Sequence, residues 1–211
     1  MPIAFDAFAT STDAVGTSLT WAHTCTGSDL ILIVGSGDND TGSVTGVTYN
    51  DVAMTQIGTG VNPSVTAYQR LWYKTGPATG ANNCVISSSS STTLRGRSSS
   101  FTGASQTGQP DSTNKAINSG TSISVSTTTV ADNCWSVGVA QNNQDAFTAG
   151  EGTTIRGEAG IAAIDSNGAK SPAGSYSLNL NITPSASNGM IVASIAPVAA
   201  AVANHWLLMG V

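Results

Sequence analysis

Charge is nearly missing from this sequence: Asp, Glu, Lys and Arg together make up 9% of its 211 residues. Seven Lys and Arg are too few to build a basic patch, and a net charge of −5 opposes nucleic acid and anionic lipid. Histidine is almost as scarce. His23 and His205 stand alone, no GxSxG elbow is present, and abundant serine gives no triad its own signature. Glu151 and Glu158 are the only glutamates; near Arg156, Asp145 and Asp165 they read as solvated loop carboxylates beside an arginine, not as a glycosidase pair. These shortages argue against an enzyme.

Cysteine is low too. Cys25, Cys84 and Cys134 cannot all pair within one chain, and none has zinc-ligand spacing. Buried thiols are the expected state, with one disulfide plus a free thiol as the alternative. The start, Met1-Pro2-Ile3-Ala4-Phe5-Asp6, shows neither the basic nor the apolar region of a secretory signal, so synthesis in a cytoplasm is expected. No disordered acidic tail fits a chain with 40% apolar residues.

What is present is short apolar runs separated by turn chemistry. Strands are predicted over 3–9, 17–23, 30–35, 44–49, 54–58, 65–73, 83–87, 94–101, 121–125, 134–140, 153–156, 161–165, 175–181 and 190–196. Asn50-Asp51, Gly76-Pro77, Asn167-Gly168 and Asn188-Gly189 tolerate positive φ or pre-set a turn between them. Tyr176 to Ile182 alternates apolar residues with Ser and Asn, placing the polar set toward water or a partner. Gly16-Thr17-Ser18-Leu19-Thr20-Trp21 is echoed by Gly120-Thr121-Ser122-Ile123-Ser124-Val125, the pattern of two related halves. The fold class expected is all-β: a single antiparallel β sandwich of jelly-roll type over 1–196, with a short apolar C-terminal arm over 197–211.

From Met190 onward the chain carries no formal charge. Pro197 and Asn204-His205 interrupt it and no Lys or Arg flanks it, so a membrane span is disfavoured. Trp206, Leu207, Leu208 and Met209 are instead expected to anchor the arm on another subunit or on their own domain.

Val47-Thr48-Tyr49-Asn50-Asp51-Val52-Ala53-Met54-Thr55-Gln56-Ile57-Gly58, then Leu71-Trp72-Tyr73, Gly76-Pro77-Ala78-Thr79-Gly80 and Ser100-Phe101-Thr102-Gly103-Ala104, resemble jelly-roll-like structural proteins of tailed bacteriophages and environmental viral sequences. The resemblance covers roughly residues 15 to 196, and its motifs are structural. It implies a decoration (cement), head-fibre or tail-associated protein on a virion surface, a homo-oligomer meeting other virion proteins. The competing expectation is a carbohydrate- or receptor-binding module of the same fold. For that role Tyr49, Tyr68 and Tyr73 are the exposed aromatic candidates, and Arg95 with Arg97 the densest positive site, or else a charge-protected edge strand. No cofactor is expected. Asp38 and Asp40 open a calcium-like loop in which Tyr49 stands where a bidentate Glu is needed, so a plain polar turn is the better reading.

Overall fold

The computed structural model describes residues 2–39, 42–64, 67–142 and 147–199. It is an antiparallel β sandwich, with no helix among the described residues. Six strands and a two-residue ribbon follow the first, β1 (Ala4–Thr10): β2 (Ala14–Cys25), β3 (Ile31–Asp38), β4 (Val44–Tyr49), β5 (Val52–Ala53), β6 (Thr55–Ser64), β7 (Ala67–Thr75) and the long β8 (Gly80–Thr102). The second half holds β9 (Ser112–Thr128), β10 (Trp135–Asn142), β11 (Phe147–Ala149), β12 (Thr154–Ala159), β13 (Ile161–Asp165) and the long β14 (Ser175–Ile195). Hydrogen bonding joins β1 to β8 in one sheet and β9 to β14 in the other.

The two halves repeat one plan. In the first, β8 pairs through its N-terminal part with β2 and β4, and through its C-terminal part with β1 and β3. In the second, β14 pairs through its N-terminal part with β11 and the end of β9, and through its C-terminal part with β10 and the start of β9. Registers correspond residue for residue. Trp21 faces Cys84 where Val125 faces Leu178; Ile31 faces Phe101 where Trp135 faces Ile195; Asp38 faces Leu94 where Asn142 faces Asn188. The Gly16 and Gly120 echo therefore occupies equivalent places, in β2 and in the second part of β9.

Because β8 and β14 each serve two packed layers, the molecule has four layers and three cores. Period-two alternation explains how one strand feeds two cores. In β3, Ile31 and Ile33 enter the middle core, while Leu32 and Val34 enter an outer core with Leu19, Trp21, Tyr49, Trp72 and Ile86. In β14, Ile191, Ala193 and Ile195 enter the middle core, while Met190 and Val192 enter the other outer core with Ile123, Val125, Leu178 and Leu180. The halves approach closely at Gly35, where a Cβ would lie 2.7 Å from Val139 Cγ2.

All three cysteines are buried and free, so the disulfide alternative is set aside. Asp38 is not in a polar turn. It ends β3, fully buried, with Arg70 Nη1 3.9 Å from its carboxylate; Asp40 lies outside the described residues. No helix among the described residues is long and apolar enough to cross a membrane.

Candidate functional site

The most catalytic-looking side chains form a closed polar chain between the first outer layer and its neighbour. His23 on β2 has Nδ1 2.9 Å from Ser98 Oγ and Nε2 2.9 Å from Ser100 Oγ, both on β8. Ser100 donates to Asp6 Oδ2 at 2.6 Å, so it accepts from His23 Nε2–H; the bare Nδ1 then accepts from Ser98, which in turn accepts from Trp21 Nε1 at 3.0 Å. Burial holds the imidazole neutral by lowering its pKa to about 4, against a smaller opposing pull from Asp6. Burial also acts to raise Asp6, but hydrogen bonds from Ser100 and Thr26 outweigh it and keep the carboxylate ionised. His23 is 1% exposed, so no substrate reaches it. The chain ties two layers together.

All three cysteines are equally enclosed. Burial pushes the Cys84 thiol up to about 12 and Cys134 to about 11, and raises Cys25. The thiolate is the reactive form, so these thiols are inert in the folded state. A disulfide-exchange reagent such as Ellman's is expected to label none of the three in native protein and all three in denaturant. Rapid native labelling would contradict the burial of these thiols.

Most of the sequence candidates do not converge. Tyr49 is fully buried, not exposed: it belongs to the outer core, and its hydroxyl lies 3.2 Å from the carbonyls of His23 and Ala78. Arg97 is 1% exposed on β8, between β1 and β3, so the edge-strand reading fails; Nη1 donates to the Gly96 carbonyl at 2.7 Å. Arg95, on the same strand, is engaged by Asp13 at 2.9 Å and Asn39 at 2.5 Å. Tyr73 is half-buried against the middle core. Arg156 does not meet solvated carboxylates: it clamps the buried Asp165 at 2.6 and 3.1 Å. The Glu158 carboxylate accepts from the Phe147 backbone at 2.5 Å, and Glu151 is exposed. Trp206, Leu207, Leu208 and Met209 lie outside the described residues.

Tyr68 borders a concave surface. Where the halves meet along one side, edge strand β6 runs beside edge strand β9 and leaves a groove. One part, about 350 Å³, is lined by Ile57, Gly58, Thr59, Thr113 and Ile191. The other, about 340 Å³, is lined by Val61, Asn62, Tyr68, Ala116 and Ile117. Lys115 borders both, its ammonium donating to the Gly60 carbonyl at 3.1 Å and to the Thr59 hydroxyl. Arg70 lies 4.6 Å from the centroid of the Tyr68 ring. Neither a family model, nor a curated protein, nor a solved structure resembles the chain significantly.

The opposite seam, between β1 and β12, shows what the groove lacks. Phe8 is the register counterpart of Thr113, since Phe8 faces Ser99 where Thr113 faces Ala193. Its ring lies directly on Gly157, where a Cβ would come within 2.5 Å of Phe8 Cε1. Arg156 covers the Phe5 ring at 4.0 Å from its centroid. One seam is filled by the Phe8 and Phe5 rings; the other has threonine at the Phe8 position and leaves a groove that Lys115 spans and Tyr68 borders. Lys115, Thr113 and Ile117 were not singled out in the sequence; the available signal was Ile117, 56% exposed here, isolated in the polar run 112–122.

Proposed function

We propose that this chain is a non-enzymatic structural protein that works by packing against copies of itself and other proteins of a virus particle, in the manner of a decoration, cement or head-fibre protein. The observation that carries the reading is β9. Over Ser112–Thr128 it pairs only with β14, so its other edge is open, and beside β6 that edge borders a groove. Open edges are association surfaces, and natural proteins that do not use them blunt them with charge or proline. Lys115 is the one charge on β9 and no proline interrupts it. The virion context comes from the resemblance to phage structural proteins. A durable, sparsely charged surface suits a particle outside the cell, and the buried histidine chain has no opening through which chemistry could occur.

The test is size and attachment. Sedimentation of purified protein is expected to give a species larger than the 21.2 kDa monomer, or binding to capsids at fixed stoichiometry. A second reading, a glycan- or receptor-binding module, is favoured by Tyr68 and Asn62 at the groove. A monomer that ignores capsids yet is retained on a glycan array establishes that reading instead.

A further inference from the structure

We infer that β2 pairs edge to edge, antiparallel and about a two-fold axis, with β2 of a second copy of this chain. The inference rests on the self-assembly reading and names the contact behind it. β2 pairs with β8 alone, so its other edge has no strand partner among the described residues. Over Ser18–Cys25 its register on β8 is unbroken, as a further strand requires. Leu19, Trp21, His23 and Cys25 are buried along this stretch, while Ser18, Thr20, Ala22 and Thr24 are exposed on the outer face. Residues 14–28 contain no Asp, Glu, Lys, Arg, Pro or Asn. Nothing on β2 therefore discourages a neighbouring strand.

The other edge strands carry features that discourage pairing. The register of β1 breaks at Asp6, whose carboxylate accepts from the Thr26 backbone. β6 breaks register twice, contains Pro63, and has its Gly60 carbonyl taken by Lys115 at 3.1 Å. β12 breaks register at Arg156 and also carries Glu158. β5 and β11 have only two and three residues. β9 has no strand on its outer side, yet part of that side is capped: the Asn114 and Asn118 amides donate to the Ser126 and Ser122 carbonyls at 2.9 and 2.8 Å. β2, the counterpart of this second part of β9, has no such cap. Charge and symmetry then select the occupant. β4, β5 and β8 as far as Leu94 are as free of charge as β2, so two such layers joined edge to edge set no like charges opposite each other. The same lack of charge gives a foreign strand nothing to select it by. With the other long edges blunted, the strand of a second copy that meets β2 is β2 itself. A contact between identical antiparallel strands is isologous and closes as a dimer, continuing the layer β5-β4-β8-β2 into the same layer of the partner.

Full-length variants test this. Thr20→Lys with Ala22→Lys sets like charges from the two copies along the joined edge, on exposed residues. Self-association in sedimentation is expected to weaken by about tenfold or more, with the thermal midpoint unchanged, and to recover in part at high salt. Ser122→Lys with Ser124→Lys, in the matching stretch of β9, is expected to associate as the wild type does. Hydrogen exchange reads the contact in the unaltered chain, whether or not the lysine variants fold: amide protection over residues 18–24 is expected to rise with protein concentration. A wild type that stays a 21.2 kDa monomer at every concentration and ignores capsids removes the assembly reading and this inference with it. A monomer that still binds capsids overturns the second-copy contact alone. So does association that persists in the Thr20→Lys/Ala22→Lys chain, that is lost in the Ser122→Lys/Ser124→Lys chain instead, or that leaves exchange over 18–24 unchanged.

Discussion

Acidification from pH 6.5 to pH 4 should remove roughly 3 kcal/mol of folding stability through a single residue, His23. In the unfolded chain the imidazole takes up a proton below its ordinary pKa of 6.5, whereas the native state refuses that proton until about pH 4. Between those values the unfolded state binds more protons, so stability rises with pH. The contribution is complete above pH 6.5, declines as pH falls, and is gone near pH 4. Asp6, whose pKa is lowered in the fold, adds a further loss at still lower pH as its carboxylate is protonated and its bonds from Ser100 and Thr26 are lost. Urea unfolding across this range checks the slope. A His23→Gln variant should be less stable at pH 7 but flat between pH 6.5 and 4. A wild type already flat in that window, or a variant that keeps the slope, would assign the acid sensitivity elsewhere.

Strand positions were largely legible because alternation is a local signal. The predicted 44–49 and 161–165 coincide with β4 and β13, and the predicted 30–35 overlaps the start of β3, which proves buried on both faces. Continuity was not legible. The pieces 83–87 and 94–101 are one strand, β8, whose serine run from Ser87 to Ser91 lies where the strand passes from one layer to the next and offers no apolar face. The same holds for 175–181 and 190–196 within β14. β9 was recognised only over 121–125, because its first part is an exposed edge with little apolar patterning. Site residues were harder still. Tyr49 and Arg97 sit in alternations that fix a face but not which layer covers it, and covering depends on pairing between residues far apart in sequence. The open seam is a comparison between two halves, visible only once Phe8 and Thr113 are known to be counterparts.

Phe101→Ala should cost about 3–5 kcal/mol and do so without splitting the unfolding transition. Phe101 is fully buried at the centre of the middle core, its ring centroid 5.8 Å from that of Phe5 in an edge contact and 5.5 Å from that of Trp135 across the junction of the halves. Truncation removes apolar area, both aromatic contacts and the packing that holds Ile31 and Ile195 in register, and it leaves a cavity that rigid strands on either side cannot fill. The two halves share this core, yet each also owns an outer core, so independent unfolding is the natural alternative. The strands themselves argue against it. β3 and β10 are buried along their whole length, and a layer stripped of the middle core would expose Ile31, Ile33, Val137 and Val139 to water together. Loss of the middle core therefore destabilises both outer cores at once. Tryptophan fluorescence, reporting Trp21 and Trp72 in one outer core and Trp135 in the middle, should move with far-UV circular dichroism to the same lower urea midpoint. Two separated midpoints in the variant would mean that the repeat halves are autonomous units in contact, and that the four layers do not fold as one body.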